Sequence, residues 1–117
     1  MRRRRVSPER ATRASVAARD AADAALAADA ARSATLRQLS REGDSGLPSM
    51  DRVLSALAAY RSGQRQVEEH LATIAAALRV GGIPRHSVAA AAGIAVATLD
   101  ARIAASPAAT ALLHGGE

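Results

Sequence analysis

The chain contains no cysteine, phenylalanine, tryptophan or lysine, and Tyr60 is its one aromatic residue. Without cysteine there are no disulfide staples and no cysteine-ligated zinc. Most of the 49% hydrophobic fraction is alanine. Burying an alanine methyl contributes only about 0.8 kcal/mol, against roughly 1.5 to 3 for a leucine or isoleucine. A chain of 117 residues built this way is one small domain, or a domain with an arm, with little to hold it in place alone. Self-association or a partner is therefore expected. Apolar runs stay short of the roughly 18 residues that a membrane span needs, and no apolar segment follows the first arginines, so neither a span nor a signal peptide is expected. The expected location is cytoplasmic. The missing lysine, taken with the abundant alanine, indicates a GC-rich coding bias, which makes each arginine weaker evidence of selected bidentate chemistry.

The net charge of +5 is unevenly spread. Residues 1–41 hold ten arginines against four acids, residues 42–82 hold four against five, and residues 83–117 hold two of each. Arg2, Arg3, Arg4 and Arg5 follow one another with nothing apolar between them, and like charges at that density repel and stay solvated. Residues 1–6 are therefore expected to be a disordered arm. Two readings fit it: a contact to nucleic-acid phosphates, or a solubilising tail.

Residues 7–42 read as one long alanine-rich helix. Ser7 caps it, Pro8 occupies the first-turn position that needs no amide, and Glu9 lies near the positive end of the dipole. Neither Gly nor Pro interrupts it before Gly43. Ala14, Ala18, Ala21, Ala25 and Ala28 recur at spacings of three and four, and the series runs on to Leu39. The result is a heptad seam of methyl groups. Residues 43–48 form a linker rich in turn formers. Ser49 then caps a second helix, expected to be continuous from Met50 to about Val80. Its seam is much bulkier and includes Val53, Leu57, Tyr60, Val67 and Leu71. Gly63 falls off this seam, where its cost is limited to about 1 kcal/mol of helix propensity. The simplest arrangement is an antiparallel hairpin over residues 7–66, closed by these two seams and open to dimerisation or to a helical protein partner.

Enzyme chemistry finds no support. No nucleophile has a base at plausible spacing, no glycine-rich phosphate loop occurs, and no carboxylate pair sits in an apolar setting, so no catalytic residue, cofactor or small-molecule substrate is expected. Glu68, Glu69 and His70 are neighbours on a helix and diverge by about 100° each, which suits a solvated face. His70, His86 and His114 lack ligand spacing, so no metal is expected either.

The stretch Arg85 to Ala104 carries the most specific pattern. Val88 and Ala89, then Ala92-Gly93-Ile94, then Thr98, Leu99 and Ile103 resemble the helix-turn-helix unit of bacterial and phage regulators of the lac repressor, Cro and resolvase type. The physical reasons are local ones. Ala89 is small where two helices cross, Gly93 supplies positive φ, and Ile94, Leu99 and Ile103 bury the second helix. The resemblance implies an all-α fold in which the coiled-coil-like hairpin leads into a trihelical helix-turn-helix unit over residues 67–113. It also implies a dimeric binder of double-stranded DNA, associated with the nucleoid, in a bacterium, phage or plasmid of GC-rich genome. Val96 to Ala105 becomes the recognition helix, with Val96, Ala97, Thr98, Ala101 and Arg102 toward the groove. Arg85, His86 and Ser87 take phosphate at the start of the preceding helix. Few of these residues can read a base, since the bidentate Arg, Asn or Gln contacts that discriminate bases are missing. Backbone contacts are expected to dominate. The alternative is a helical interaction or assembly adaptor, DNA-packaging components included, in which the motif is a packing unit.

Overall fold

A computed structural model describes residues 5–41 and 46–115. The described chain is helical throughout: α1 (Pro8–Arg41), α2 (Met50–Val80), α3 (Arg85–Ala92), α4 (Val96–Ala105) and α5 (Pro107–His114). The molecule is a rod of 59 × 26 × 25 Å. Alanine's high propensity carries α1 through 34 residues, and α2 passes Gly63 unbroken. Side-chain caps start three helices: Ser7 Oγ accepts from the Arg10 amide, Ser49 Oγ from the Arg52 amide, and the buried Ser106 Oγ from the Ala109 amide, each at 3.2 Å.

α1 and α2 run antiparallel along most of their length. Arg10 Nε donates to the Val80 carbonyl at 2.9 Å, which ties the start of α1 to the end of α2 and satisfies a last-turn carbonyl. Further along, the Arg32 guanidinium lies 4.3 Å from the centroid of the Tyr60 ring. Arg32 thus occupies a seam position through a cation–π contact with the chain's one aromatic residue.

The face that α2 turns to α1 differs from the expected seam. On α1, Ala14, Ala21 and Ala25 are buried, with Ala18, Ala28 and Leu39 half-buried. On α2, however, the closest approach is made by small residues: Ala56 and Ala77 are buried, and a Cβ on Gly63 would overlap the Cβ of Arg32. Tyr60 and Val67 are half-buried, whereas Val53, Leu57 and Leu71 are exposed at 37%, 55% and 50%. Leu57 and Leu71 therefore lie outside the α1 contact that the heptad reading assigned to them. A stripe of methyls attracts only at short range, and it finds that range on the small-residue side of α2; leucines would hold the axes apart.

A second core lies at the far end of α2. Ala72, Ala75 and Ala76 of α2 cluster with Val88 and Ala89 of α3, Leu99 and Ile103 of α4 and Ala109 of α5, flanked by Ile83, Ile94, Leu112 and Leu113. α5 lies across α2 and closes the cluster; Thr110 Oγ1 donates to the Ile103 carbonyl at 2.9 Å and fastens it to α4.

Gly93 sits at φ 71°, ψ 28°, between α3 and α4, and a Cβ there would meet nothing within 4 Å. The cost of a side chain at this position is thus conformational alone. Gly93→Ala is expected to lose about 1 kcal/mol in urea unfolding and Gly93→Asn distinctly less, since Asn tolerates the left-handed region. Equal losses for the two variants would place the constraint elsewhere.

Candidate nucleic-acid interface

α3 and α4 meet at 93° across the three residues Gly93 to Ala95. The Gly93 and Ile94 amides donate to the Ala90 and Ala89 carbonyls at 3.1 Å each, which satisfies the end of α3 while the chain reverses. Leu99 and Ile103 turn one side of α4 into the core. The opposite side, Ala97, Thr98 and Ala101 with Ala104 and Ala105, is exposed.

The expected contact residues fall into distinct places. Ala97, Thr98 and Ala101 share the outward face of α4. Val96 does not; it is half-buried and packs against the core, because it lies one helical turn before Leu99 on the inward side. Arg102 is exposed on the flank toward α2, beside Glu68. On the other flank, Arg85 Nη1 donates to Asp100 Oδ2 at 3.0 Å. Both partners of this ion pair are substantially exposed (57% and 42%), so it is a weak clamp between the start of α3 and the middle of α4. It nevertheless occupies the cation expected to be available for phosphate. No sequence signal marks a pair 15 residues apart on two helices. His86 is exposed and Ser87 half-buried.

The Arg10–Val80 contact brings the beginning of α1 to the same end of the rod as α3 and α4. Arg5, the first described residue, is exposed three residues before α1. Arg2, Arg3 and Arg4 lie outside the described residues. Arg5 and Arg10 therefore lie at the same end as the α3–α4 pair, whose own charges are Arg85 and Arg102 against Asp100, a juxtaposition that separation along the sequence conceals. Among the described residues, no group of three His, Cys, Asp or Glu side chains gathers to hold a metal ion, and no single helix is long and apolar enough to cross a membrane.

No protein-family model matches the chain, and no curated protein or solved structure matches it.

Proposed function

We propose that the chain is a small DNA-binding protein, a dimeric transcriptional regulator or a phage or plasmid DNA-binding factor, whose affinity comes mainly from backbone contacts. The observation that carries this reading is the right-angled α3–Gly93–α4 pair, joined by a three-residue turn and set on α2 with one face of α4 open. Its angle and turn length are those of helix-turn-helix units. Arg5 and Arg10, which lie at the same end as this pair, support it. In this reading α4 approaches the major groove with Ala97, Thr98 and Ala101, and the arm supplies phosphate or minor-groove contacts. Methyl groups can meet thymine methyls, but they make no bidentate pairs, so base selectivity is modest.

Duplex-DNA binding measured across a salt series tests this. Deleting residues 1–6 removes four arginines and should flatten the plot of log affinity against log salt by about 3 to 4. Asp100→Asn should act in the opposite direction, steepening the slope by about 1, because it frees Arg85 and removes a negative charge from α4. Undetectable binding at low salt, or a slope that neither change moves, would overturn the reading.

A second reading has its own support: the outward face of α4 is almost entirely methyl, and Arg85 is engaged by Asp100. A helical interaction or assembly adaptor needs no more than that. It predicts no DNA affinity at low salt.

A further inference from the structure

One side of α2 is left largely uncovered by the described residues, and its sequence is symmetric about its own middle. Met50, Leu57, Gln64, Leu71 and Leu78 follow one another at intervals of seven, with Leu54, Arg61 and Glu68 beside them on the same face. The leucines and the methionine of this row are 38% to 75% exposed. The ends of the row are apolar and its middle is polar, with Arg61 on the N-terminal side of Gln64 and Glu68 on the C-terminal side. Within one chain, Arg61 and Glu68 both bond to the Gln64 amide, at 3.4 and 3.2 Å.

The two halves differ in shape. In the N-terminal half, Met50, Leu54 and Leu57 project at 75%, 65% and 55% exposure. The C-terminal half has a trough of about 280 Å³ walled by Leu71, Ile74 and Leu78 of α2, Val88 and Ala92 of α3, and Ile94, with Glu68 and Arg102 at its rim. One half carries knobs and the other carries a hole.

We infer that this face binds a second copy of the chain, with the two α2 helices antiparallel across a two-fold axis at Gln64. In that register Met50 of each copy lies opposite Leu78 of the other and Leu57 opposite Leu71, with Leu54 on the flank of the contact. The projecting half of each helix fills the trough of the other, and Arg61 of each copy meets Glu68 of the other. A foreign helix has no reason to share this palindrome of shape and charge, whereas an isologous contact requires it. Surface area agrees. The chain exposes 7934 Å², whereas a compact monomer of its mass exposes roughly 6,000 Å². The excess is more than twice the roughly 800 Å² per partner of a standard interface. The radius of gyration of 18.0 Å likewise exceeds the roughly 13 Å of a compact domain of this length. α1 packs on a different side of α2, through Ala56, Gly63 and Ala77, so the antiparallel pair within each chain stays intact.

The inference names the dimer contact of the DNA-binding reading, yet it is tested without DNA: a monomer that binds DNA would overturn the contact alone. With no native cysteine in the chain, single cysteines report geometry directly. Sedimentation at tens of micromolar should show a dimer. Oxidised Gln64→Cys should cross-link to itself. Leu57→Cys should not, because its two copies would lie about 20 Å apart, but an equimolar mixture of Leu57→Cys and Leu71→Cys should. Charge exchange gives an independent arm: Arg61→Glu and Glu68→Arg should each weaken the dimer at least tenfold, and mixing the two should yield mostly heterodimer, in which both contacts are again opposite in sign. A wild-type monomer, self-cross-linking of Leu57→Cys, or a purely statistical mixture of the two charge variants would overturn the inference.

Discussion

Gly63→Leu should abolish the α1–α2 pairing, and even Gly63→Ala should destabilise the protein, although alanine is the better helix former. The two effects oppose each other. Replacing glycine by alanine in a helix interior gains about 1 kcal/mol of propensity. Here, however, the new Cβ would overlap the Cβ of Arg32. That carbon cannot swing aside as a side-chain tip can, so the helix axes must separate. Overpacking of this kind costs roughly 1 to 3 kcal/mol for small additions. Separation also withdraws the buried methyls of Ala21, Ala25 and Ala56 from contact, and a methyl seam has no reach to compensate. The expected net loss for Gly63→Ala is ~1 to 2 kcal/mol, a fall of a few degrees in Tm by far-UV circular dichroism. For Gly63→Leu the loss should exceed about 3 kcal/mol, enough to leave the long helices unpaired. A Gly63→Ala variant more stable than the parent would mean that the helices cross elsewhere.

Leu99→Ala should be the most damaging truncation in the C-terminal cluster. Leu99 and Ile103 are the only leucine and isoleucine among the buried described residues; the rest of the core is alanine with Val80 and Val88. Apolar burial in the α3–α5 region is thus concentrated in two side chains. Emptying one of them removes its transfer free energy and leaves a void that flanking methyls cannot fill, a loss of about 2 to 5 kcal/mol. Small domains have only about 5 to 15 kcal/mol in total. Leu26→Ala on α1, where the leucine is 69% exposed, should stay within about 0.5 kcal/mol of the parent. Chemical denaturation monitored by circular dichroism compares the two directly, and similar losses for both would sink this account of the core. DNA affinity, in the proposed function, should fall with Leu99→Ala through loss of the α4 platform even though Leu99 faces inward.

The local rules were legible because they act over a few residues. Ser7-Pro8, Ser49 and Ser106-Pro107 start helices, Gly81 and Gly93 stop them, and uninterrupted alanine carries α1 across 34 residues. Within the candidate interface, the inward positions Leu99 and Ile103 follow from helical spacing, whereas the outward positions Ala97, Thr98 and Ala101 are implied by the helix-turn-helix resemblance. The resemblance places Val96 toward the groove, but it stands one helical turn before Leu99 and packs against the core.

What spacing could not decide was which of two neighbouring heptad registers on α2 would meet α1. Both satisfy the period. Bulk favours Leu57 and Leu71, but α1 offers only methyls, and the shorter interaxial distance goes to Ala56, Gly63 and Ala77; that choice arises only when two surfaces are brought together. The α1–α2 encounter also seats Arg32 over Tyr60 and carries Arg10 to the α3–α4 end, and the meeting of α3 with α4 pairs Arg85 with Asp100. Sequence by itself determined an all-helical chain with its caps, its breaks and the inward faces of its short helices, because those depend on propensity and period. Tertiary structure alone decided which stripe of α2 was used inside the chain and which remained outside, because complementarity of shape belongs to a pair of surfaces and to neither sequence alone.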